Sequence, residues 1–135
     1  MPGRWSGARP CSRDRGSCAV ELAITMPAIL IALFAGIQAA ALFVARSAAL
    51  GAAEQATTAE RAYNAPPGVG HARAETFLNQ TGDWLTDRKV TIIRGDTEVT
   101  TVVEGQALSL IPGVTFTVTQ RSHGAIERFT TQEQP

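Results

Sequence analysis

Only two cysteines, two histidines and one tyrosine occur in 135 residues, and neither sign of charge is in excess, with 12 Lys and Arg against 12 Asp and Glu. Each scarcity excludes something. Cys11 and Cys18 both lie in the first 18 residues, so no disulfide can staple the rest of the chain. His71 and His123 have no Cys, His or paired carboxylate at ligand spacing, which leaves no metal centre or cofactor to assign. No Ser or Cys nucleophile has a nearby His with an orienting acid, so no catalytic residue is assigned and the chain reads as a non-enzyme. Without a basic excess to neutralise phosphates, nucleic acid is not an expected partner.

The largest absence is local. Residues 22–45, LAITMPAILIALFAGIQAAALFVA, are 24 residues without Asp, Glu, Lys or Arg, and 20 of them are apolar. At ~1.5 Å per helical residue they span roughly 36 Å, a little more than the hydrocarbon core of a bilayer. The composition therefore predicts one membrane-crossing helix and argues against a single soluble globule. Pro27 is cheap in the first turn, if the helix starts near Val20, and kinks the helix if it starts earlier. Thr25 and Gln38 are the hydrogen-bonding side chains of the window. Gln38 is a candidate helix–helix contact, the alternative being a polar residue merely tolerated near a helix end.

Ahead of this window Arg4, Arg9, Arg13 and Arg15 outweigh Asp14 and Glu21, whereas residues 46–135 carry 8 basic and 10 acidic side chains. The positive-inside rule then expects a cytoplasmic N-terminus and an extracytoplasmic C-terminal part. A cleaved signal peptide has an apolar region of only ~7–15 residues, so the longer window favours a retained anchor.

At the left border of the window stands RDRGSCAVE: a basic stretch ends at Gly16, small or apolar residues follow, and Glu21 closes the series. A carboxylate there either rests among headgroups, favoured by the positive end of the helix dipole, or has a partner. The arrangement resembles the leader of type IV pilin-like proteins, in which a prepilin peptidase cuts after a Gly and leaves an acid at the fifth mature position. Together with ARSAALGAAEQATTAERAY, SLIPGV and GAIERF, it resembles the TadE-like minor pilins (pseudopilins) of tight-adherence pilus systems, in the actinobacterial style, over roughly residues 13–130. The resemblance implies cleavage between Gly16 and Ser17, with Ser17 as the new N-terminus and Glu21 pairing with a neighbouring amine during assembly. It also implies a prepilin peptidase, other pilins and pilus assembly machinery as partners, and a role in assembling the pilus or a related secretion apparatus. Major pilins of such systems usually have Tyr after the Glu; Leu22 stands here, which points to a minor subunit, and Cys18 just after the cut departs from the pattern.

Beyond Arg46 the helix is expected to continue to about Asn64, which would make it roughly 68 Å long from Val20. Its Ala-rich part suits either packing against other helices or a plain stalk. Ala65-Pro66-Pro67-Gly68 ends it. HARAETFLNQTGDWL then predicts a short amphipathic helix that brings Ala74, Phe77, Leu78, Trp84 and Leu85 together and frays near Gly82. Residues 89–94 and 97–104 read as strands around a Gly95-Asp96 turn, with Ile92 opposite Val99 and Val90 opposite Thr101. Val114, Phe116 and Val118 alternate with threonines as a third strand, and Leu108, Leu110 and Ile111 are expected to cover an edge of the core.

The expected fold is α+β: a long transmembrane helix extending outward, then a short helix on a small antiparallel sheet of about three strands. The expected domains are a cytoplasmic leader (1–16), a transmembrane helix (17–45), an Ala-rich extension (46–64) and a small external domain (65–135). Residues 46–135 hold 21 apolar side chains larger than Ala, a marginal core, so oligomeric support is expected. Arg94-Gly95-Asp96 spells an integrin-type tripeptide but coincides with the turn, where Gly and Asp are favoured anyway. Two other readings of the whole chain stand: a plain single-pass envelope protein with an external binding domain, and a small protein secreted after cleavage near Ala41.

Overall fold

The computed structural model describes residues 15–128, with side chains from residue 19 onward. Arg4, Arg9, Cys11, Arg13 and Asp14 lie outside the described residues, as do the side chains of Arg15, Ser17 and Cys18. The element order is α1 (Arg15–Arg61), α2 (Val69–Thr81), β1 (Leu85–Arg94), β2 (Glu98–Ala107) and β3 (Phe116–Ala125). The α+β architecture expected from the sequence is the one observed. Residues up to Gly36 form one compact unit, and a second begins at Ile37.

Helix α1 runs for 47 residues, sustained by alanines, the strongest helix formers. It starts at Arg15, earlier than Val20, so Pro27 lies in its interior and the Ala23 carbonyl loses its backbone donor. One turn before, the Thr25 hydroxyl donates to the Glu21 carbonyl at 2.7 Å. The helix ends at Arg61 instead of continuing to Asn64, because Asn64 adopts a left-handed conformation (φ 54°) ahead of the tandem prolines.

The sheet is an antiparallel meander in the order β1-β2-β3. Val99, Thr101, Val103 and Ala107 of the central strand point to one buried face, as period-two alternation requires. Against that face lie Ala45, Ala49, Ala52, Ala53 and Ala56 of α1, with Ala74 and Leu78 of α2 completing the core. The Ala-rich stretch is thus not a bare stalk over these residues: the chain's own sheet and second helix cover it. Small side chains permit the approach. A Cβ on Gly51 would sit 2.8 Å from the Phe77 ring, and one on Gly70 would sit 2.9 Å from the Ala56 carbonyl oxygen.

Five details depart from expectation. The β1–β2 register is Ile92↔Thr101 and Val90↔Val103, two residues from that inferred. The Gly95 N–H donates to the Glu98 carbonyl at 2.8 Å, which centres the turn on Asp96-Thr97 instead of Gly95-Asp96. A shift of two leaves every side chain on its face, so the apolar face survives the error. Trp84 is not on α2, which stops at Thr81 before Gly82 (φ 90°); it precedes β1 and is exposed. Strand β3 runs to Ala125, well past the alternating segment, and Val114 lies before it. Finally, Leu108, Leu110 and Ile111 do not cover the core: they are 44%, 44% and 50% exposed, in the loop between β2 and β3.

Candidate functional site

Three groups of residues carry the functional argument. The first is the start of α1. Gly16 and Ser17 lie in its first turn by backbone conformation, and Glu21 follows one turn later with its side chain exposed. From Val20 to Ile37 the large apolar side chains of this helix are exposed throughout, Ile24, Leu30, Ile31 and Phe34 among them. Among the described residues there is one helix long and apolar enough to cross a membrane, residues Ala19–Arg61, with a mean hydropathy of 2.4 in its most apolar stretch.

The second group surrounds Gln38, which is nearly buried. Both ends of its amide are engaged by the chain's own loop: Nε2 donates to the Leu108 carbonyl at 3.1 Å, and Oε1 accepts from the Leu110 N–H at 2.8 Å. A primary amide offers a donor and an acceptor on one rigid plane, so a single side chain fixes the loop at two points. The sequence marked Gln38 as a polar anomaly but gave no means of finding its partner 70 residues away. The signal that does exist is a second charge-free run, residues 105–120, in which that partner lies.

The third group is a polar seam near the C-terminal end of α1. Glu60 is buried, and its Oε2 accepts the Gly70 N–H at 3.0 Å, supplying the cap that Gly68 cannot give to α2. Arg94 Nη1 donates to the Glu60 carbonyl at 2.9 Å and lies 3.4 Å from its carboxylate. One turn before, the Thr57 hydroxyl donates to Thr101 Oγ1 at 2.9 Å. The tripeptide Arg94-Gly95-Asp96 is therefore a corner of the sheet: its Arg is tied to α1, and the Asp96 carbonyl accepts from Arg128. Sequence reasoning missed Glu60 because an acid on an Ala-rich helix looks like a solvated charge. These residues hold the head together and offer no reacting group. Among the described residues no three His, Cys, Asp or Glu side chains gather as metal ligands.

An apolar helix long enough to cross a membrane, followed in the chain by a small α+β head, is consistent with the class of single-pass membrane-anchored proteins. Residues 16–58 match the family model described as TadE-like protein, so the resemblance to TadE-like proteins is shown over this part of the helix. The match covers a narrower stretch than residues 13–130 and leaves out the sheet. No curated protein and no solved structure matches the chain.

Proposed function

We propose that the chain is a TadE-like minor pilin, cut by a prepilin peptidase between Gly16 and Ser17, that assists assembly of a tight-adherence pilus or a related secretion apparatus. One observation carries this reading: the family match begins at residue 16, the proposed scissile Gly, and Glu21 stands fifth beyond it at the border of the charge-free segment. In this reading the arginine-rich leader faces the cytoplasm and is removed there, while the head lies outside. The helix stays in the membrane as the assembly element. The ammonium of Ser17 and the carboxylate of a neighbour's Glu21 then neutralise each other, where either charge alone is costly in lipid. The chain performs no chemistry; it is the peptidase's substrate and a partner of other pilins and the assembly machinery.

Mass spectrometry of the mature N-terminus, on protein purified from cells that make the peptidase, tests the reading. A start at Ser17 supports it, an intact leader supports a plain anchor, and a start near residue 42 supports secretion. Replacing Gly16 by a bulky residue is expected to abolish processing. Glu21→Ala is expected to leave cleavage intact and impair assembly, and normal piliation in that variant would remove Glu21 from the role.

A further inference from the structure

Residues 105–120, GQALSLIPGVTFTVTQ, contain no charged side chain. The strand portions of this run are packed or paired, but the loop between them exposes Leu108, Leu110, Ile111 and Val114 to varying degrees near one half. A loop this apolar is unusual on a water-facing surface, where turns favour polar residues and hydrogen-bond freely to solvent.

Part of the backbone of the same loop is held by the chain's own groups. The Leu108 N–H donates to the Trp84 carbonyl, the Leu110 N–H to Gln38 Oε1, the Ile111 N–H to Ser109 Oγ and the Val114 N–H to the Ile111 carbonyl. The Leu108 carbonyl accepts from Gln38 Nε2, and Pro112 has no N–H to satisfy.

The loop is also attached to the apolar segment itself: its anchor, Gln38, belongs to the charge-free stretch 22–45. Ile37, Ala41 and Val44 of that stretch form one wall of an apolar groove of about 320 Å³, and Trp84, Leu108 and Leu110 form the other. Trp84 is half-exposed, flanked by the exposed Asp83, which is the amphipathic setting in which Trp occupies the headgroup level.

We propose that this end of the head, Trp84 with loop residues 108–114, is a lipid-docking surface that rests in the bilayer interface on the head's side of the membrane. The occupant of the groove and the cover of the loop is the boundary between acyl chains and headgroups. Continuity argues for lipid over a protein partner, since one wall of the groove is the helix that enters the membrane. The proposal rests on residues 22–45 spanning the bilayer and is independent of processing at Gly16. Docking at this point restrains the tilt of the head, so that its remaining surfaces meet partners in a fixed attitude.

Depth-dependent fluorescence quenching tests this on the full chain, reconstituted in phosphatidylcholine vesicles whose acyl chains carry bromine near the headgroup or near the chain end. In the Trp5→Phe background Trp84 is the sole tryptophan. Its emission is expected to be blue-shifted and quenched more by the shallow bromines than by the deep ones. Adding Leu110→Asp, which retains the backbone bond to Gln38, is expected to abolish the shallow quenching while leaving the urea midpoint of the head unchanged. A chain with Trp5→Phe, Trp84→Phe and Leu33→Trp reports the span itself. Quenching of the tryptophan at 33 with none at Trp84 overturns the docking and leaves the span standing. Loss of quenching at both positions overturns the span and the docking together. Trp84 unquenched by bromine but increasingly shielded from acrylamide as the protein-to-lipid ratio rises shows a second copy on the patch, which also overturns the proposal.

Discussion

Two stretches of a single helix, residues 20–37 and residues 41–57 of α1, obey opposite rules. The first carries large side chains and exposes them, with Ile24 and Ile31 at 72% and 69%. The second buries a face of small ones, with Ala45, Ala49, Ala52, Ala53 and Ala56 all at 0%, while Phe43 on its other side is 72% exposed. The backbone is the same; the neighbour differs. A β-sheet can lie close to a helix only where the helix presents methyl groups or less, whereas fluid acyl chains accommodate branched side chains of any outline. Residue size along α1 thus records which medium or partner each turn meets, and hydrophobicity alone does not.

Variants in the two stretches break or sharpen this contrast when the full chain is unfolded by urea in detergent micelles. The largest effect is expected from Leu78→Ala, which opens a cavity beneath the alanine face where Leu78 is 2% exposed; the head should lose about 2–5 kcal/mol. Ala53→Leu forces a larger side chain into the same seam and should cost about 1–3 kcal/mol, although leucine is nearly as good a helix former as alanine. If Ala53→Leu were neutral, close packing would not be what selects small residues here. Gln38→Ala leaves the Leu108 carbonyl and the Leu110 N–H without their partner and should cost about 1–2 kcal/mol, read as a lower urea midpoint and faster exchange of the Leu110 amide. Leu33→Ala removes more apolar surface than Gln38→Ala does, yet it should change the midpoint of the head by less than about 0.5 kcal/mol, because Leu33 is exposed and is not a residue of the core.

Much of the architecture was legible in residue pattern. The uncharged run gave α1, Pro66 and Pro67 gave its end, and the Val/Thr alternation gave the first half of β3. The second half, QRSHGA, was not legible, because it has no apolar alternation; it is a strand by virtue of its ladder with Glu98–Val103 of β2, and pairing is a property of two segments. The turn at Asp96-Thr97 was misplaced for a related reason. The Gly-Asp dipeptide is a local preference, whereas bonds from Ile126 to Thr97 and from Arg128 to Asp96 hold the observed turn from the far strand. Gly16 and Ser17, the proposed processing site, and Glu21, the proposed assembly residue, were picked out at once, since charge and apolar boundaries are sequence properties. The role of Gln38 could not be, because nothing in its own neighbourhood names a loop 70 residues downstream.

The bonds that close the head onto α1 also dictate the order in which it can form. Thr57 meets Thr101 across 44 residues and Gln38 meets Leu110 across 72, and closing the longer loop costs only about 0.4 kcal/mol more than the shorter. Neither contact is available before β2 and the loop after it have been made. As the chain emerges from the ribosome, α2 comes first and can cover part of the alanine face of α1, whereas the share of the core supplied by the sheet waits for its strands. The long-range bonds to α1 therefore close after the local hairpins that build the meander.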